Sequence, residues 1–205
     1  MADYTAKDVQ KLRQSAGVGM MDAKKALDDT SGDFDKAVEL LRERGLAKMA
    51  KRADRDANEG TIGVYLHHQN DHPVMGVVVE LACETDFVAK SPEFNEAAND
   101  LALHISWANP TWIRRDDVDD AAIAKESELI EREAKASGKP DQAIAKIVEG
   151  RLDKWLEENV LYAQTFVNKE KFDGTIADLI TQLGMKMGEN ISVRRFHRVE
   201  VGASV

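Results

Sequence analysis

Cys83, the single cysteine of the chain, stands beside Glu84 at the end of an apolar run. A thiol attacks only as the thiolate, and neighbouring carboxylates keep the proton on. The sequence therefore expects Cys83 to be a buried structural thiol in a reducing compartment, the cytoplasm, with no internal disulfide. His67, His68 and His72, with Asp71, place imidazoles and a carboxylate around one turn, a workable ligand set for a divalent metal. Histidines at an exposed turn are ordinarily solvated, and no cysteine shares the site, so neither a metal nor a cofactor is expected. The chain carries no glycine-rich phosphate loop, no Gly-x-Ser-x-Gly and no His-Glu-x-x-His, and no catalytic residue is assigned.

Two other segments carry binding chemistry rather than bond-making chemistry. Gly17-Val18-Gly19-Met20-Met21 joins two short helices and is apolar where a small domain should be polar. Its methionines read either as core fillers, at least one of them so placed, or as an adaptable knob for a partner. Glu84-Thr85-Asp86-Phe87-Val88-Ala89-Lys90 lies between a strand and a helix start. Phe87 belongs to no apolar stripe. It reads either as tucked under its own domain or as an aromatic wedge beside a carboxylate, held rigidly enough to enter another protein's pocket.

Those segments need elements to position them. The chain has 205 residues, 43% of them hydrophobic and 32% charged, with only 4 prolines, so it encodes a globular protein with a real core. A formal charge of −9 argues against general nucleic-acid binding, which needs clustered cations. No run of about 18 apolar residues exists to span a bilayer, and the start at Met1-Ala2-Asp3-Tyr4 does not look like a signal peptide. Residues 1–45 read as three short helices, with Val9, Leu12 and Ala16 on one apolar stripe and Phe34, Ala37, Val38 and Leu41 on another. Asp33 can cap the third helix, and Gly45 ends its pattern or sits just past it. Residues 46–59, with Lys48, Lys51, Arg52 and Arg55, read as a basic linker that is either a solvated face or a strip for an acidic partner.

Residues 60–205 read as an α+β domain. Ile62, Val64 and Leu66 alternate with Thr61, Gly63 and Tyr65, and a turn at 69–73 leads into a second strand to Leu81. The run Val77 to Val79 predicts that this strand is central and covered on both faces. Ser91-Pro92-Glu93 starts a helix with Phe94, Ala98, Leu101 and Ile105 on its apolar stripe. Residues 116–137 read as an acidic, exposed helix, and Thr175 to Asp178 as a capping box. Gly188-Glu189-Asn190 turns into a last strand from Ile191 to Val201, with a phase shift at Arg194-Arg195-Phe196. That strand completes a three-stranded antiparallel sheet with the hairpin, packed with helices.

Leu12-Arg13, Gly17-Val18-Gly19-Met20-Met21-Asp22-Ala23-Lys24-Lys25-Ala26-Leu27 and Gly32-Asp33-Phe34 closely resemble the amino-terminal domain of bacterial elongation factor Ts. Thr85 to Lys90 matches that family's core motif. Gly138-Lys139-Pro140, Val148 to Arg151, Gln164 to Val167 and Gly188 to Phe196 follow in the family's order, so the resemblance covers nearly the whole chain. It implies a ubiquitin-associated-like three-helix fold at 1–45 and an activity, guanine-nucleotide exchange on elongation factor Tu in its GDP form, with no covalent chemistry. By the same resemblance Leu12, Val18, Gly19, Met20 and Met21 form the face that docks on the GTPase. Thr85, Asp86, Phe87 and Val88 form the segment that dislodges its magnesium. No nucleic acid and no membrane are implied as partners.

Two departures matter. Ala23 stands where the family usually carries cysteine, a small-for-small change. There is room for only one hairpin and one closing strand, so the chain resembles a short member, which implies pairing as a non-covalent homodimer. Two rival readings stand beside this one. A peptide adaptor built on the three helices leaves Thr85 to Val88 unexplained, and an enzyme using Cys83 or the histidine turn would be stopped by alkylation or chelation.

Overall fold

The computed structural model of the protein describes residues 4–16, 18–138 and 140–203. Gly17 and Lys139, of the two glycine-containing breaks, lie outside them. In chain order the elements are α1 (Ala6–Ala16), α2 (Met20–Asp29), α3 (Phe34–Ala50), β1 (Glu59–Gln69), β2 (His72–Cys83), α4 (Asp86–Ala89) and α5 (Pro92–Ala108). Then come α6 (Asp120–Ala136), α7 (Asp141–Asn159), α8 (Ile176–Met187) and β3 (Ser192–Glu200). The fold class is α+β, as read, with the sheet in the order β1-β2-β3. The chain divides into two compact units. The first holds residues up to Thr61 with Leu81–Asn95 and Ile180–Ser192, and the second holds Ile62–Glu80, Glu96–Leu179 and the residues from Val193.

In the first unit the three amino-terminal helices close on Leu12, Ala23, Ala26, Leu27 and Ala37, all without solvent exposure. Local chemistry sets their ends. Thr5 and Asp8 cap α1 reciprocally, the Thr5 amide donating to the Asp8 carboxylate at 2.7 Å and the Asp8 amide to the Thr5 hydroxyl at 3.4 Å. Asp33 accepts from the Lys36 amide at 3.1 Å. Between α2 and α3 the chain turns through Ser31 and Gly32, both at positive φ, and the Gly32 amide returns to the Leu27 carbonyl at 2.8 Å.

Gly45 does not end the third helix, which runs five residues further, to Ala50. This glycine serves packing instead. A Cβ on Gly45 would collide with the Met185 side chain of α8, and one on Gly184 of α8 would collide with Met49 of α3. Two glycine–methionine exchanges thus bring the two helices into close approach, which offsets the roughly 1 kcal/mol that a helical glycine costs.

In the second unit the hairpin turns at Asn70 and Asp71, both at positive φ, the geometry of a two-residue turn that suits the twist of paired strands. Gly63 faces α5 so closely that a Cβ there would strike the Ala98 backbone. The alternating row Ile62, Val64 and Leu66 therefore points the other way, and all three are about half exposed. Gly76 abuts Leu66 on that face, and Val78 is exposed while Val77 and Val79 are buried. The central strand is consequently covered on one face only, against the expectation of two. The phase of β3 shifts where expected, and both Arg194 and Arg195 reach one carboxylate, Glu80, at 3.2 and 2.7 Å. The acidic segment forms α6, which pairs with α7 and buries Ile130 and Ala134. No helix among the described residues is long and apolar enough to cross a membrane.

Candidate functional site

Thr85, Asp86, Phe87 and Val88 occupy the corner between β2 and α5, and three of them begin the single turn α4. Thr85 is its N-cap, extended at φ −126° and ψ 153°, with its hydroxyl accepting from the Val88 amide at 3.4 Å. A helix of four residues cannot hold itself, because the nucleus costs more than one turn of hydrogen bonds returns. Remote side chains hold it from both ends. Glu189, in the turn after α8, accepts from the backbone amides of Glu84 and Thr85 at 3.0 and 3.2 Å, and from the Thr85 hydroxyl at 2.6 Å. At the other end Asn95 donates to the carbonyls of Ala89 and Ser91 at 2.9 and 2.8 Å. The Ser91 hydroxyl accepts from the Phe94 amide at 3.4 Å and starts α5 as expected.

On this anchored turn Phe87 is 84% exposed. The ring stands largely in solvent, so the tucked-under reading fails. Asp86 is half-buried and pairs with Lys90 one turn on, at 2.6 Å. That hydrogen bond and the ammonium charge lower the Asp86 pKa below the usual carboxylate value, so the group is ionised at neutral pH. Cys83, immediately before, is buried and donates to the Thr85 carbonyl at 3.3 Å. Burial, followed by the charge of Glu189, pushes its thiol up to about 11, which leaves it protonated and unreactive.

The second segment lies in the same unit. Gly19 is the N-cap of α2 and supplies no side-chain cap. Met20 and Met21 open the helix and are 45% and 75% exposed, so neither is a core filler. Val18 is half-buried against the three-helix core, and Leu12 is wholly inside it. The structure thus separates the residues that the resemblance places on one docking face. Gly19, Met20 and Met21 reach solvent, while Leu12 is sealed in the three-helix core and presents no side chain of its own. Ala23 is also fully buried.

The histidine turn brings no ligand set together. His67 and His72 are exposed, His67 bonds Tyr65 at 3.3 Å, and His72 approaches the Asn70 carbonyl at 3.4 Å. Among the described residues no three His, Cys, Asp or Glu side chains converge to hold a metal. Of the basic stretch, Lys48 lies 3.7 Å from Asp22, and Arg55 reaches Glu84 at 3.3 Å.

Sequence reasoning missed the side chains that hold the corner. Glu189 and Thr85 are 104 positions apart, and no periodicity links them. The one available signal was the Gly188-Glu189-Asn190 turn beside the Thr85 motif.

These features define an α+β protein whose amino-terminal helices and strand–helix corner both carry exposed apolar side chains on ordered backbone. The family model described as Elongation factor TS matches residues 3–173. Elongation factor Ts of Alkaliphilus oremlandii is 48% identical over 203 residues, covering 99% of this chain and 91% of that protein. Those of Thermosipho melanesiensis and Fervidobacterium nodosum are 46% and 45% identical, each over at least 97% of this chain and 98% of theirs. The chain belongs to the elongation factor Ts family.

Proposed function

We propose that this protein is the guanine-nucleotide exchange factor of elongation factor Tu, acting in the cytoplasm during translation elongation, and that Phe87 and Asp86 are the residues that loosen GDP. The observation that carries this reading is the exposed Phe87 ring on a turn whose backbone is fixed at both ends. A GTPase holds GDP through backbone donors around the phosphates and through Mg²⁺. Release needs no bond to break. It needs a partner that binds the nucleotide-free state better than the GDP-bound one, and the antagonism is reciprocal.

Magnitudes decide how many contacts must share the work. Inverting a 1:99 equilibrium takes about 5.5 kcal/mol of differential binding. A buried aromatic anchor supplies about 2–4 kcal/mol, so Phe87 alone falls short. Gly19, Met20 and Met21, with Val18 and Leu12 beneath them, form the second docking face and supply the remainder. Phe87 acts as a steric wedge. Asp86 brings an ionised carboxylate to the magnesium side, where it disturbs the metal's shell by charge or accepts a hydrogen bond from the displaced helix.

The exposed row Ile62, Val64, Leu66 and Val78 supports the further reading that the chain works as a non-covalent homodimer. One sheet face left apolar and uncovered matches what pairing of two copies would bury, and the protonated, buried Cys83 takes no part. Fluorescent-GDP release from elongation factor Tu tests the function. Substoichiometric protein accelerates release without GTP turnover, and Phe87→Ala removes most of that acceleration at an unchanged melting temperature. A wild-type rate from Phe87→Ala contradicts the wedge.

A further inference from the structure

Phe87 is largely exposed, so its place in space is set chiefly by its backbone. The backbone of α4 is in turn set by a neighbour that sequence distance hides. Gly188, at φ +76°, ends α8 in the left-handed region, its amide returning to the Gly184 carbonyl at 2.9 Å. That turn delivers Glu189 to the corner, where one carboxylate takes three donors from Glu84 and Thr85. The exchange is reciprocal, because the Glu84 carboxylate accepts from the Asn190 amide at 2.6 Å. Asn190 also donates through its side chain to the carbonyls of Ala53 and Arg55, at 3.2 and 2.8 Å, and Arg55 pairs with Glu84. One three-residue turn therefore ties the wedge corner to the stretch that follows the docking helices.

We infer that Glu189 is a positioning residue for nucleotide exchange: its carboxylate orders the Thr85–Val88 turn before the partner arrives, so that Phe87 is presented in a single place. This rests on the exchange reading above. The chemistry suits the task. Charge-assisted hydrogen bonds are roughly twice as strong as neutral ones, and the Thr85 hydroxyl, by donating to Glu189, keeps a lone pair for the Val88 amide. Without that anchor the turn must be ordered during docking, and the entropy of ordering is subtracted from the displacement of GDP.

Two measurements on the full chain test it. The first is amide hydrogen exchange of the free protein. Glu189→Ala, which removes all three charge-assisted bonds, makes the Val88 and Ala89 amides exchange at least about tenfold faster, while Leu101 and Ile105 in α5 keep wild-type protection. The second is the plateau rate of fluorescent-GDP release at saturating factor. Glu189→Ala lowers that plateau about tenfold, Glu189→Gln, which keeps one acceptor oxygen, lowers it less, and Glu189→Ala in a Phe87→Ala background lowers it no further. The concentration giving half the plateau moves little. If Glu189→Ala fails to fold, Glu189→Gln carries both readouts with smaller effects.

Unchanged amide exchange at Val88 and Ala89 overturns the inference, and so do losses that multiply in the double variant. Loosened amides alongside wild-type release by Phe87→Ala leave Glu189 as the residue that orders the corner and overturn the wedge reading, and loosened amides alongside no acceleration of release by the wild-type chain overturn the exchange reading.

Discussion

The corner at 84–91 and the loop at 18–21 both offer apolar side chains to solvent, yet they are built by opposite means. The corner is a four-residue turn that could not stand by itself, and side chains from 95 and 189 hold it at both ends. The loop opens a ten-residue helix with no side-chain cap, and its stability comes from the core beneath, where Leu12 and Ala23 are fully buried. On the proposed reading, a wedge at Phe87 must arrive at one place to act on a nucleotide site, and a backbone fixed by directional bonds suits that. A docking knob needs area and adaptability, and methionine on a helix end supplies both. Exposure alone does not separate the two proposed roles; the manner of anchoring does.

The sharpest way to break this comparison is at Phe87. Phe87→Ala is expected to lower the plateau rate of GDP release by about 30-fold or more, from the 2–4 kcal/mol of a buried aromatic anchor, with no change in the melting curve because the ring is exposed. Leu12→Ala acts on the support instead. It should destabilise the protein by about 2–5 kcal/mol in chemical denaturation, the cost of emptying a core leucine site, and a fall within surface-substitution range would remove the claim that it holds the loop. Met20→Asp should weaken binding to the GTPase about tenfold in a direct affinity measurement with the melting temperature kept.

Acid separates the corner at 84–91 from the second unit. Gln164 donates to the carbonyls of Glu158 and Ala108 at 2.7 and 3.3 Å, which leaves its oxygen facing His104 Nε2 at 3.0 Å. His104 therefore carries a proton on Nε2, and its Nδ1 has no partner among the described residues. Burial lowers its pKa, against the opposing hydrogen bond to Gln164. The unfolded chain then takes up a proton before the folded one does. The His104 contribution is complete above pH 6.5 and declines as the pH falls below it, by up to about 1.4 kcal/mol per pH unit. His104→Gln should flatten the denaturation midpoint against pH between 6.5 and 5. Asp86 titrates below its usual value, so it stays charged over the same window. The smallest expected effect is Asp86→Asn, a few-fold in release rate; a loss as large as that of Phe87→Ala would make charge rather than shape the main agent.

Much of this was legible in the chain. Asp33, Ser91 and the Thr175–Asp178 pair mark helix starts by chemistry confined to one turn, and they cap as expected, the Thr175 hydroxyl accepting from the Asp178 amide at 3.1 Å. Asn70-Asp71 fixes the hairpin for the same reason. Features that depend on distant neighbours were not legible. Gly45 reads locally as a stop and is a seat for Met185. Ile62, Val64 and Leu66 have the period of a buried row, but α5 packs on the glycine side and leaves them in solvent. Phe87 was visible as an aromatic outside every stripe; the carboxylate that fixes it was not, because that bond closes a loop of more than a hundred residues.

One titration tests the central claim most directly: the rate of fluorescent-GDP release from elongation factor Tu against factor concentration, for the wild type, Phe87→Ala and Met20→Asp. Phe87→Ala should depress the plateau and leave the midpoint in place, and Met20→Asp should move the midpoint and leave the plateau. A Phe87→Ala curve that climbs to the wild-type plateau contradicts the account.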